Sequence, residues 1–301
     1  MKDVNQIIKN EEFYKEYLAL YHSSIVRLIR NIKRLKQLSF RDRYRLIKKK
    51  ILAKSGDRKI NKNVKSIKDY KPYYNFGEAL DDVKIAVYGC ITNGYDFVKQ
   101  PVYVGKDTTY HIFTDVISGN TGIWQEHLVD CGEYVKDANR YYKFHPFELF
   151  PDYDYAIYTD GNVKVLSDVS TICSIASKSK TGIAMHRHHA RECAYQEALA
   201  CKYYKRGNYI KIQEQLSRFR DEGFPEDFGL CEATIIVYDL KNGVAKRIAE
   251  DWWNEYINSD TKRDQIAFPY IIWKNGFNIS DVGDLGNDLM GNPKFLVIGH
   301  S

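Results

Sequence analysis

Among its 301 residues the chain has no apolar run approaching the ~18 residues that a membrane-spanning helix requires. Its opening, "MKDVNQIIKNEEFYKEY", carries acids where a secretory signal needs an apolar core. Both features lead us to expect an intracellular, cytoplasmic protein. None of the six cysteines forms a C-x-x-C pair, so a thiolate zinc site is not expected. Cys193 and Cys201 stand eight apart in a helical stretch, which suits two buried, reduced thiols. "GCITNGYD" spaces two glycines as a P-loop does, but Tyr95-Asp96 stand where Lys-Ser/Thr would be, which argues against a P-loop ATPase. No G-x-G-x-x-G follows the first strand, and no G-x-S-x-G occurs anywhere. The dinucleotide fingerprint and the esterase elbow are therefore missing. There is no internal repeat.

What is present is uneven charge. Residues 1–75 hold 21 Lys+Arg and 7 Asp+Glu, which leaves 24 and 32 in residues 76–301. A basic front end thus precedes an acidic body, and the two regions are expected to have different jobs. In the front end, Ile25, Leu28, Ile29, Ile32 and Leu35 recur at helical spacing between basic residues. Ser39-Phe40-Arg41-Asp42 fits a capping box that opens a second helix. The body alternates short apolar runs (84–91, 109–115, 126–131, 154–160, 162–166, 181–188, 233–240 and 294–300) with helical stretches at 193–205, 212–220, 243–257 and 263–274. That alternation predicts an α/β domain with a largely parallel sheet.

One run is interrupted. In "YDYAIYTDGNVKV" a good strand stops at Asp160-Gly161-Asn162 and then resumes. In open α/β sheets ligands bind beyond the carboxyl ends of the strands, where Asp160 stands. Gly161 lets the backbone come close and turn. Asn162, two residues on, points to the side that Asp160 faces. A carboxylate and an amide oxygen so placed suit a hard divalent cation whose shell a diphosphate completes. "TDGN" also suits a plain tight turn between two strands. Both readings stand at this point.

"KIAVYGCITNGYD", "YHIFTD", "NRYYKFHPFELFPDYDYAIYTDGNVKV", "HRHHARECAYQEA" and "KRDQIAFPYIIWKNG" follow one another in that order. Together they resemble a family of GT-A-like glycosyltransferase domains. That family contains the plant turgor-regulation-defect and mucilage-related proteins and bacterial capsule-cluster proteins. The resemblance covers roughly residues 83–300. It implies a GT-A-like, mostly parallel sheet flanked by helices over residues 76–301, with residues 1–75 as a basic helical appendage.

The resemblance also implies a nucleotide-sugar donor, with UDP as the expected nucleotide. The acceptor would be a glycan or lipid-linked glycan hydroxyl in capsule or surface polysaccharide synthesis. Thr92 and Asn93 would hold the nucleotide, and Asp115 would contact the uridine or ribose. Arg140 and Lys143 would lie along the diphosphate. Asp160, Gly161 and Asn162 would form the D-x-D-like donor site. Mn²⁺ or Mg²⁺ would be held by Asp160 and Asn162, with His300 as a third ligand. His186, Arg263 and Gln265 would face the sugar or acceptor, and Glu232 or Asp264 would serve as a base. This sequence departs from D-x-D in ending on Asn162, a weaker and neutral ligand. That leaves open metal-independent transfer, and also a non-catalytic nucleotide-sugar-binding or scaffold protein. A glycolipid hydrolase, the label of one branch of the resembling family, finds no nucleophile elbow here.

Plainer readings exist beside these. Arg140 and Lys143 also fit a solvated helix face. Asp264 also fits a simple helix start, where an acid suits the dipole. In a strand, alternation sets Arg187 and His189 opposite His186 and His188, so a polar strand end is preferred over a histidine metal site. Trp252-Trp253 falls among Ile248, Tyr256 and Ile257, which reads as core. The basic front end fits a packed or solvated appendage. It equally fits an interfacial segment at the inner membrane face, worth roughly 1 kcal/mol per basic residue near anionic lipid. Nucleic acid is not expected as a partner, since only Phe40 and Tyr44 offer stacking there.

Overall fold

The computed structural model describes residues 71–298. The expected basic helical region falls outside the described residues up to residue 70, as does His300. Among the described residues, the core is a seven-stranded sheet in the order β3-β2-β1-β4-β7-β6-β8. Its strands are β1 (Ile85–Ile91), β2 (Thr108–Thr114), β3 (Trp124–Leu128), β4 (Tyr155–Thr159), β6 (Ile183–Arg187), β7 (Cys231–Asp239) and β8 (Gly283–Asp284). Strand β1 runs parallel to both β2 and β4, β2 parallel to β3, and β6 parallel to β8. Only β7 runs against its neighbours β4 and β6. The sheet is mostly parallel, as the strand–helix alternation predicts.

Residues alternate between two cores along each strand. Ala86, Tyr88 and Cys90 of β1 pack on one face, and Ile85 and Val87 on the other. The first face is covered by α1 (Ala138–Phe144), α4 (Ala194–Tyr204), α5 (Tyr209–Asp221), α6 (Gly243–Ser259) and α7 (Asp264–Lys274). Short α2 (Pro146–Leu149) follows α1. The second face is covered by α3 (Ser170–Ser177) and by a two-stranded sheet of β5 (Val163–Val165) and β9 (Phe295–Val297). Asn208 and Asn242 start α5 and α6 by accepting backbone N–H groups of the first turn. All six cysteines are buried and unpaired. No described helix is long and apolar enough to cross a membrane.

Two features position the site. From β1 the chain builds β2 and β3 on one side and then places β4 on the other. A ligand crevice is expected outside the carboxyl ends of strands at such a reversal. Second, Met185 opposes Ile236 while His186 opposes Glu232, so β7 carries a bulge at the open end of the sheet.

Candidate active site

Strand β4 delivers Asp160 to the carboxyl edge of the sheet, with its backbone N–H bonded to the Thr234 carbonyl on β7. Oδ1 of Asp160 accepts the Tyr158 hydroxyl at 3.0 Å and lies 3.8 Å from Lys143 Nζ. No described residue hydrogen-bonds to Oδ2, and the side chain is 32% exposed. Tyr158 also donates toward Asn139 Oδ1, and Asn139 Nδ2 donates to the Cys90 carbonyl. The carboxylate is therefore braced on one oxygen and open on the other.

Lys143 comes from α1 and is 2% exposed. Its ammonium donates to Asp264 Oδ2 at 2.7 Å and to the Ala233 carbonyl at 2.9 Å, and lies over the Tyr158 ring. Arg140, one turn earlier, places Nε 3.1 Å from the same Asp264 oxygen. Burial would raise the Asp264 carboxyl, but Arg140 and Lys143 outweigh it and hold it well below the usual carboxylate range. Asp264 is thus a buried counter-ion, and as a base it is the weaker of the two acids considered. Lys143 does not lie on a solvated helix face. Its charge is already met by Asp264, so the expected contact between Lys143 and a diphosphate is not what this geometry offers. Arg140, partly exposed at 28%, retains that option.

Gly161 permits a close approach: a Cβ there would sit 2.7 Å from Ile91 Cγ1. The turn is real as well, since Val163 N–H bonds the Asp160 carbonyl. Asn162 is buried, and its Nδ2 donates to the Ile298 carbonyl at 2.9 Å. Ile298 N–H returns a bond to the Asn162 carbonyl. The end of β9 is thereby fixed beside Asp160. Only the Oδ1 atom of Asn162 is left for a cation.

Beyond β1, Asn93 and Gly94 both take left-handed backbone conformations. Asn93 N–H donates to Asp115 Oδ2 at 2.7 Å, so the end of β2 braces the loop after β1. Asn93 and Asp115 are exposed, and Thr92 is half-buried with its carbonyl bonded to Tyr95 N–H.

On the other flank, β6 ends at Arg187, and His188 and His189 follow it. Strand alternation therefore does not govern them, and His188, His189 and Glu232 bring candidate ligand atoms within 4.8 Å of one another. His188 Nδ1 accepts backbone N–H groups from Ala190 and Arg191. Neutral His188 must then carry its proton on Nε2, which removes the lone pair a metal would need. His186 is wholly buried, with Nε2 bonded to Asn292, so the fold does not present it to a sugar as expected. Arg263 caps α7 and donates to Glu197 Oε1 at 2.7 Å, while Arg191 pairs with the other Glu197 oxygen. Gln265 lies half-buried in the first turn of α7.

The structure thus gathers Arg140, Lys143, Asp160 and Asp264 into one network and sets Asn93 against Asp115. Tyr158, Asn139, Arg191 and Glu197 were not singled out from sequence, and His189 figures there only as part of a histidine metal site set aside for a polar strand end. For Glu197 a signal existed: it stands four residues from both Cys193 and Cys201, on the helix face their spacing assigns to the interior. For Tyr158 the signal was its place two residues before Asp160 on one side of the strand, while its second contact, to Asn139, depends on α1.

The sequence of residues 114–280, more than half of the chain, matches the family TOD1/MUCI70, glycosyltransferase-like domain. None of the curated proteins matches the chain significantly. Among solved structures, mouse xyloside xylosyltransferase 1 in its apo form is similar at 9% identity, with a TM-score of 0.40, over 66% of this chain and 83% of that one. The apo bifunctional glycosyltransferase WbbM is similar at 14% identity with a TM-score of 0.37, over 70% of this chain and 40% of that one. The galactosyltransferase LgtC, with donor and acceptor sugar analogues, is similar at 12% identity with a TM-score of 0.36, over 64% and 70%. At these TM-scores the likenesses assign no role to any residue. The family match spans Asp115, Arg140, Asp160, Glu232 and Asp264, the residues on which the described site is built. The chain belongs to the TOD1/MUCI70 glycosyltransferase-like domain family.

Proposed function

We propose that the protein transfers a sugar from a nucleoside-diphosphate donor, UDP-linked, to a hydroxyl of a glycan or lipid-linked glycan. The observation that carries this reading is Asp160, with one braced and one open oxygen at the strand reversal of the sheet. Around it, two carboxylates and two cations (Asp160, Asp264, Arg140 and Lys143) cancel in formal charge. A diphosphate entering a neutral cluster needs further positive charge. Asp160 Oδ2 and the Asn162 amide oxygen are hard oxygen donors that fit Mg²⁺ or Mn²⁺. When bound there, such an ion would offset charge building on the leaving diphosphate.

The chain's own groups do the rest. Tyr158 and Lys143 fix the rotamer of Asp160. Arg140 offers N–H groups to phosphate oxygens. The loop at Thr92 and Asn93, braced by Asp115, flanks the nucleotide. A role in capsule or surface polysaccharide assembly at the inner face of the membrane completes the proposal.

A second reading, donor binding without turnover, is favoured by the engagement of the Asn162 amide with Ile298. One experiment separates the two. The melting temperature is measured with UDP, GDP and CMP, each with and without Mn²⁺, and donor consumption is then followed. A ligand at 100 times its Kd stabilises by roughly 2.7 kcal/mol. A UDP shift that needs Mn²⁺ and vanishes in Asp160→Ala supports the donor site, and turnover of a UDP-sugar then supports transfer. A folded Asp160→Ala protein with full activity would refute the assignment.

A further inference from the structure

We infer that His189, oriented by Glu232, is the proton acceptor for the attacking hydroxyl in a single displacement that inverts the anomeric centre. This rests on the donor reading above. Across the open end of the sheet, β1, β4, β7 and β6 lie side by side, bringing in turn the nucleotide loop, Asp160, Glu232 and His189. Adjacent strands are about 4.8 Å apart. Glu232 stands one strand from Asp160, and His189 follows the strand after that. Glu232 is also two residues from Thr234, the bonding partner of Asp160 N–H, and so lies a step further out at the open edge of the sheet. A sugar attached to a diphosphate at Asp160 would fill that step.

The pair has the geometry of an oriented base. Glu232 Oε1 lies 2.7 Å from His189 Nδ1. Glu232 is only 14% exposed, while His189 is 49% exposed. With Nδ1–H donated to Glu232, Nε2 carries the lone pair, and no described residue bonds to it. The His188 ring stacks on that of His189 at 4.9 Å and 13°. His188 is itself locked by two backbone N–H groups, and burial pushes its pKa down to about 4, so it supports His189 as a neutral platform.

Four groups face His189. The Glu232 bond raises its pKa above 6.5, Arg191 opposes this, Asp288 adds to it, and His188 is uncharged near neutrality. Asp264 is excluded from the role of base by its pairing with Arg140 and the buried Lys143.

The step balances. Nε2 takes the hydroxyl proton, and the freed oxygen pair forms the bond to the anomeric carbon from the face opposite the diphosphate. The carbon–oxygen bond to the diphosphate breaks with its electrons on the leaving oxygen. The proton rests on imidazolium, held by Glu232, and passes to solvent.

The test uses the full chain, its His189→Gln and Glu232→Gln variants, and α-linked UDP-glucose, UDP-galactose and UDP-N-acetylglucosamine with water as acceptor. His189→Gln should keep the Mn²⁺-dependent UDP melting shift yet release free sugar at least 100-fold more slowly. The basic limb of the wild-type pH–rate profile should vanish with it, and the first sugar released should be the β anomer. Long-range ¹H–¹⁵N spectra should show His189 protonated on Nδ1 when neutral, with a pKa that falls in Glu232→Gln. Loss of UDP binding in the wild type would sink the donor reading and this proposal together. Normal UDP binding with hydrolysis within threefold of wild type in His189→Gln, an α anomer, or a His189 pKa indifferent to Glu232→Gln would overturn the dyad alone.

Discussion

Lys143 Nζ and Asp264 Oδ2 meet at 2.7 Å with both side chains at least 95% buried, and the pair joins α1 to the start of α7 beneath Asp160. Breaking a buried pair leaves an uncompensated charge, typically at about 3–5 kcal/mol. Lys143→Met should lower stability by about 3 kcal/mol in urea unfolding. The Lys143→Met/Asp264→Asn double variant should lose clearly less than the sum of its singles. Additive losses would show that the two charges do not depend on each other.

Asn162→Asp would restore a second acid to the motif, but at a structural cost. Asn162 Nδ2 donates to the Ile298 carbonyl at 2.9 Å, and a carboxylate cannot. Two oxygens would then oppose each other, a loss of roughly 1–3 kcal/mol. The expected outcome is a lower melting temperature without metal, regained in part with Mn²⁺. An unchanged melting temperature in chelator would contradict the clamp.

Gly161→Ala should destabilise by about 1–3 kcal/mol through overpacking, because the new Cβ meets Ile91 Cγ1 at 2.7 Å. Combining it with Ile91→Ala should recover part of the loss relative to Ile91→Ala alone. If Gly161→Ala costs nothing by itself, the close approach is relieved by backbone movement and the contact is not a constraint.

Three buried histidines, His111, His186 and His188, have pKa values pushed down to about 4, chiefly by burial. The unfolded chain takes up these protons near pH 6.5 and the folded chain only near pH 4. Their contribution is therefore complete above pH 6.5 and is lost as pH falls through 6.5 to 4, by about 1.4 kcal/mol per pH unit for each. The urea midpoint should drop steadily between pH 7 and 5, a range in which Asp264 and Glu232, both shifted downward, remain ionised. Replacing His111 by Gln should flatten the slope, and a midpoint independent of pH would count against the buried neutral histidines.

Much of the sheet was legible because its strands carry their own signal. "KIAVYGCI" and "ATIIVYDL" are apolar runs of strand length, and β1 and β7 occupy them. The long helices α6 and α7 fall on the helical stretches expected at 243–257 and 263–274. Helices α1 and α3 were not. "ANRYYKF" is short, and "STICSIAS" is rich in residues that also suit a strand, so packing on the sheet decided both. Strand β8 has two residues and exists only through its pairing with β6.

The same division runs through the site. The sequence by itself determined that Asp160-Gly161-Asn162 interrupts a strand and that an acid stands at its carboxyl end, which are properties of local pattern, while Arg140, Lys143, Glu232 and Asp264 became candidates for chemistry through the family resemblance that the order of the motifs carries. Which charges neutralise each other was decided only by the tertiary structure. Lys143 and Asp264 are 121 residues apart yet share a hydrogen bond, and that bond makes one a brace and the other its counter-ion. His189 gains its partner from Glu232, 43 residues away, because β6 ends one residue before His188. Ionisation and tautomer depend on burial and on the nearest opposite charge, and both are fixed by the packing of distant elements.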